Sequence, residues 1–145
     1  MTTPETPVIP GRLTSLASWL ATGVVFLSAL TVLFKLRIVA LLLFAGAGGS
    51  FLAAGGWPGI GPLIAMTLTG GLAAAGASAL NQYLEQAEDA SMRRTRQRPL
   101  VSGLISRPAR VPVIAISLIV IPSLIALPFN PALALWSFSG AVIYV

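Results

Sequence analysis

The chain has 145 residues, of which 56% are hydrophobic and 9% charged, with a mean hydropathy of +0.89. That composition excludes an ordinary soluble domain. The lack of Cys and His excludes a disulfide framework, a thiolate or imidazole metal site and an imidazole base within this chain. The net charge of +5 is not a nucleic-acid signature, because the basic residues gather beside long apolar runs, as in the positive loops of membrane proteins.

In chain order, residues 1–12 carry Pro4, Pro7 and Pro10 and read as a disordered tail. Residues 13–145 read as one all-α, polytopic transmembrane bundle. The uncharged run 13–34 is expected to cross the membrane, with an interfacial helix as the alternative. Lys35 and Arg37 mark a cytoplasmic boundary. Residues 38–56 form the next span, where Gly46, Gly48 and Gly49 would permit close helix approach. Residues 55–62 are an external turn. Residues 63–81 return, with Gly71, Ala75 and Ala79 as a small-residue packing face.

The segment 93–110 contains six Arg and no acid, which places it on the same side as Lys35 and Arg37, two spans away. Residues 111–127 form a further span, with Pro112 at its start and Pro122 inside it. Residues 128–131 make an external turn. The last apolar stretch, 132–145, has 14 residues, fewer than the ~20 that cross a bilayer as helix. The chain is therefore expected to be the front portion of a longer protein.

Chemistry concentrates in residues 81–100, NQYLEQAEDASMRRTRQRPL, which hold three of the four acids and four of the nine basic residues. Asn81, Glu85 and Asp89 are four apart and form a row on one helix face. Glu88 falls near the same face, so periodicity does not choose between it and Asp89. Amide and carboxylate oxygens are hard ligands suited to Mg²⁺, which usually takes one or two protein carboxylates and completes its sphere with water and phosphate oxygens. Followed by Arg93, Arg94, Arg96 and Arg98, the row suggests a diphosphate site. The bland alternative is a solvated helix end whose arginines only signal topology.

The segment 81–106 resembles the first signature motif of the UbiA superfamily of intramembrane prenyltransferases, and most closely that of its protohaem IX farnesyltransferase (haem O synthase) branch. That branch carries Asn, an acid and Asp at four-residue intervals, then Met-x-Arg-Thr-x-x-Arg-Pro-Leu and a Gly-containing turn. These fall on Asn81, Glu85, Asp89, Met92, Arg94, Thr95, Arg98, Pro99, Leu100 and Gly103. The resemblance covers about residues 33–145. It departs from the family at Leu36, where Lys-Pro-Arg is usual, and in the run 13–34, which has no counterpart. The family's second Asp-rich motif belongs to a C-terminal half that this chain does not contain.

The resemblance implies Mg²⁺-dependent transfer of farnesyl from farnesyl diphosphate to a vinyl group of haem B, giving haem O. It assigns Asn81, Glu85 and Asp89 to catalysis through Mg²⁺, and Arg94, Arg98, Lys35 and Arg37 to the diphosphate. Arg93, Arg96, Arg107 and Arg110 are read as topology signals, and Thr95, Pro99 and Gly103 as loop-shaping. The implied setting is a bacterial plasma membrane with the motif loop cytoplasmic, and no nucleic acid is involved. Two other readings stand beside it. One is a UbiA-type enzyme acting on an aromatic or quinone precursor. The other is an inactive truncated membrane protein or scaffold, because this portion alone holds half a site.

Overall fold

A computed structural model describes residues 23–25 and 27–145. The expected tail, and most of the run 13–34, lie outside the described residues. The described part of that run is a helix, α1 (Gly23–Leu33). It is followed by α2 (Leu36–Ala54), α3 (Ile60–Leu84), a short α4 (Gln86–Ser91), a 3-10 turn (Pro108–Arg110), α5 (Val111–Ala126) and α6 (Pro131–Tyr144). Among the described residues there is no strand. Among the described residues, three helices are long and apolar enough to cross a membrane: Leu36–Ala54, Ile60–Leu84 and Pro108–Ala126.

The termini of these helices follow their sequence. Gly55 takes the left-handed conformation (φ 62°) after α2, and its N–H reaches back to the Leu52 carbonyl. α3 then starts at Ile60, earlier than expected, because Pro62 is tolerated in a first helical turn whose N–H groups have no helical partner. Asn130 caps α6, its Oδ1 accepting from the Leu133 N–H at 3.0 Å. Pro112 sits at the start of α5, and the helix continues through Pro122.

α3 is the centre of the bundle and packs against α2, α5 and α6. In lipid such packing depends on close backbone approach rather than on apolar burial. The tightest point is Gly76, where an added Cβ would lie 2.6 Å from the Ala115 carbonyl oxygen of α5. Ala73, Ala77, Ile119 and Ala141 complete this contact. The expected face through Gly71, Ala75 and Ala79 does pack: a Cβ on Gly71 would meet Leu43 of α2 at 3.4 Å, and Ala79 is buried. The crossing with α5 runs through Gly76, on a neighbouring strip of the same helix. On α2 a Cβ at Gly46 would touch Met66, whereas Gly48 and Gly49 face open space and permit no approach. Large apolar residues such as Leu41, Phe44, Leu52 and Ile143 are exposed on the outside, as a lipid-facing surface requires.

A further cluster, Leu33, Ala79, Leu100, Val111 and Ala115, gathers where α3 ends and α5 begins. Leu100 belongs to the Arg-rich loop, so this cluster fastens the loop to the end of the bundle.

Candidate diphosphate and metal site

The acidic row survives a break in the helix. Glu85 separates α3 from α4, yet the N–H of Glu85 still donates to the Asn81 carbonyl (2.9 Å) and that of Asp89 to the Glu85 carbonyl (2.8 Å). Helical spacing therefore carries across the junction, and Glu85 and Asp89 stay on one side of it.

The loop then folds back on that side. The Thr95 Oγ1 donates to the Asp89 main-chain carbonyl at 3.0 Å, and the Gln86 Nε2 to the Leu100 carbonyl at 3.0 Å. Gly103, with φ 76°, turns the chain on towards α5. This closure brings Arg98 onto the row. Its Nη1 donates to the Asp89 Oδ2 and lies 3.5 Å from the Glu85 Oε2. The Asp89 side chain is 6% exposed, Arg98 22% and Glu85 47%. Glu88 points to solvent, so burial and the Arg98 contact separate Asp89 from Glu88 where periodicity did not. Arg98 is paired most closely with the buried Asp89, and the second carboxylate, Glu85, stands exposed beside them, where it can meet an additional cation.

The other candidate residues are placed differently. Asn81 is half-buried at the end of α3, and Arg94 is exposed; among the described residues neither side chain makes a hydrogen bond. Arg37 is exposed on the first turn of α2. Lys35 is held. Its Nζ donates to the Tyr144 Oη at 2.9 Å and lies 5.5 Å from the centroid of that ring. Its backbone is left-handed (φ 46°), a strained turn fixed from α3. There Gln82 Nε2 donates to the carbonyls of Val32 (3.1 Å) and Leu33 (2.6 Å), and Ser78 Oγ donates to that of Leu33 (3.2 Å). Leu36 occupies the first position of α2, where a proline would lose no helical bond, so this departure from Lys-Pro-Arg leaves the helix entry intact.

Gln82 and Tyr144 were missed in the sequence. Gln82 is 1% exposed, and its Oε1 has no partner among the described residues. Its position beside Asn81 made it look like part of the motif rather than a clamp. Tyr144 lies in an apolar stretch with no local charge to signal a role.

Behind Lys35 an apolar slot of about 320 Å³ opens between α2, α3 and α6. Its walls are thin where Gly70, Ala74 and Ala77 of α3 face Gly140 and Ala141 of α6. An ammonium group at the end of an apolar slot suits a ligand with an anionic head and an apolar tail.

Among the described residues no group of three or more acids converges as a metal-binding set. The Glu85 and Asp89 pair matches the one or two carboxylates that Mg²⁺ takes when substrate phosphate and water supply the rest.

Comparison with known proteins decides the family. A model of the UbiA prenyltransferase family matches residues 41–145. The chain belongs to the UbiA prenyltransferase family. As a UbiA member with three apolar helices of spanning length, it is an integral membrane protein. It is similar to a protoheme IX farnesyltransferase of Streptomyces coelicolor, at 39% identity over 117 residues, which are 80% of this chain and 36% of that protein. A protoheme IX farnesyltransferase of Methylococcus capsulatus is 39% identical over 111 residues, 76% of this chain and 37% of that protein. One of Thermus thermophilus is 42% identical over 72 residues, 50% of this chain and 12% of that protein. The chain therefore spans well under half the length of these UbiA relatives. No solved structure matches it.

Proposed function

We propose that the protein containing this chain transfers a farnesyl group from farnesyl diphosphate to the vinyl group of haem B, giving haem O, in the plasma membrane of a bacterium. The observation that carries this reading is the Glu85–Arg98–Asp89 cluster, negative overall, set at the same end of the bundle as a lysine-tipped apolar slot. The haem acceptor is taken from the names of the relatives, which align over up to four-fifths of the chain.

In this reading Glu85 and Asp89, with Asn81 beside them, hold Mg²⁺ on the cytoplasmic side. When bound, Mg²⁺ neutralises the diphosphate leaving group and so eases ionisation of the allylic C–O bond. Arg98 has two roles. Without substrate it neutralises part of the carboxylate charge. With substrate it turns its guanidinium fork to the diphosphate oxygens, and Arg94 joins it from the loop. Lys35 holds the diphosphate from the slot side, with Arg37 near the same turn. The prenyl chain lies in the slot, whose apolar walls keep water from the allylic cation until the vinyl carbon attacks. Water then adds to the cation left on the other vinyl carbon and loses a proton, which completes the hydroxyethyl group of haem O, and diphosphate departs.

The test is an assay of purified full-length protein in detergent or liposomes with haem B, farnesyl diphosphate and Mg²⁺. Haem O formation that stops when Mg²⁺ is chelated is the expected result. Prenylation of an aromatic quinone precursor, with none of haem B, would replace the acceptor assignment. Failure to consume farnesyl diphosphate with either acceptor would overturn the enzymatic reading.

A further inference from the structure

The slot between α2, α3 and α6 has a far end, and one side chain occupies it. Along α3 the lining runs from Ser78 through Ala74 and Gly70 to Met66. Twelve residues separate Ser78 from Met66, an axial distance of about 18 Å. On α2 the lining ends at Leu43 and on α6 at Trp136, each eight residues from the Lys35 and Tyr144 end, or about 12 Å. Met66 is thus the deepest lining residue. It is also the one large side chain that α3 sends into the slot; its other lining positions there are Gly, Ala or Ser.

Met66 rests on a specific seat. A Cβ built on Gly46 of α2 would stand 3.0 Å from the Met66 Sδ, closer than side chains normally approach. The bare backbone of Gly46 therefore lets the thioether lie back against α2. A methionine is unbranched and adaptable, so its position is set by what it rests on. The opposite end carries the Lys35 ammonium, which selects an anionic head and leaves the tail directed at Met66.

We propose that Met66, seated on Gly46, is the gauge that sets the longest prenyl chain the slot accepts. The inference rests on the reading of the slot as the prenyl-chain site. Shortening Met66 deepens the slot. Adding a methyl group at Gly46 pushes the thioether forward and shallows it.

The experiment is competitive binding of geranyl, farnesyl and geranylgeranyl diphosphates to the purified full-length protein with Mg²⁺, alongside the haem assay. Met66→Ala should raise the affinity for geranylgeranyl relative to farnesyl diphosphate by about tenfold, the effect of burying about two more methylene groups. Gly46→Ala should shift preference towards geranyl diphosphate. Met66→Leu, similar in volume, should keep the wild-type order and so controls for folding. An unchanged ratio in Met66→Ala, or an equal loss for all three chains, overturns the gauge while leaving haem prenylation standing. Wild-type protein that binds none of the three overturns both readings. The expected ratio shift in a protein that makes no prenylated haem supports the gauge and rejects only the acceptor.

Discussion

The Nζ of Lys35 donates a 2.9 Å hydrogen bond to the Oη of Tyr144, joining residues 109 positions apart. The contact ties the start of α2 to the end of α6. With the Gln82 bonds to Val32 and Leu33, it sets the ends of α1, α3 and α6 and the start of α2 at one end of the bundle, where the Arg-rich loop also lies. A hydrogen bond to a charged group is worth about 1.5–3 kcal/mol when shielded, and less at a half-exposed position such as this. Tyr144→Phe keeps the ring and removes the hydroxyl. It should raise the KM for farnesyl diphosphate roughly threefold to tenfold with little change in kcat. An unchanged KM would remove Lys35 from the diphosphate site.

Glu85 and Glu88 offer a contrast within one turn. Glu85 lies 3.5 Å from Arg98, whereas Glu88 faces solvent. Glu85→Gln should lower turnover by about tenfold or more, in the range of lost transition-state charge stabilisation. Glu88→Gln should leave it within about twofold. Steady-state rates of haem O formation decide between them, and equal losses would contradict the placement of the row.

The α3–α5 crossing predicts opposite outcomes at two glycines. Gly76→Ala puts a Cβ 2.6 Å from a backbone carbonyl that cannot move aside cheaply, and should destabilise by about 1–3 kcal/mol. Gly48→Ala meets open space in a helix interior and should stabilise by about 0.5–1 kcal/mol. Thermal unfolding in detergent measures both. A Gly76→Ala protein that melts like wild type would mean that the helices do not cross there.

Much of this architecture is legible in the sequence, for physical reasons that particular residues show. The spans of α2, α3 and α5 follow from uncharged length, the end of α2 from Gly55, the start of α5 from Pro112 and the start of α6 from the turn at Asn130. The role of Gly103 as a loop turn also follows, since a positive φ at that point suits glycine. Which small residues meet which helix does not follow, because the sequence of α3 shows small residues but not where α2 and α5 lie; Gly71 meets Leu43 of α2, whereas Gly76 meets α5. Periodicity left Asp89 and Glu88 open and only the motif resemblance chose Asp89; the contact with Arg98, nine residues on and folded back by Thr95, leaves no local pattern. The pairing of Lys35 with Tyr144 and the clamp by Gln82 are long-range contacts that leave no local pattern.

Arg98 tests the exchange between carboxylate and substrate. Arg98→Ala should weaken use of farnesyl diphosphate, seen as a raised KM, and should also free Asp89 and so tighten Mg²⁺ binding in the absence of substrate. Isothermal titration of Mg²⁺ reads the latter. Weaker Mg²⁺ binding in the variant would show that Arg98 supports the carboxylates rather than competing for them.

The most direct measurement is farnesyl transfer to haem B by purified full-length protein and by its Asp89→Asn variant, with membrane insertion checked in both. The account predicts haem O from the wild type and a loss of about a hundredfold or more from a variant that still inserts, the scale of removing a key electrostatic group. Transfer by Asp89→Asn at the wild-type rate would contradict it.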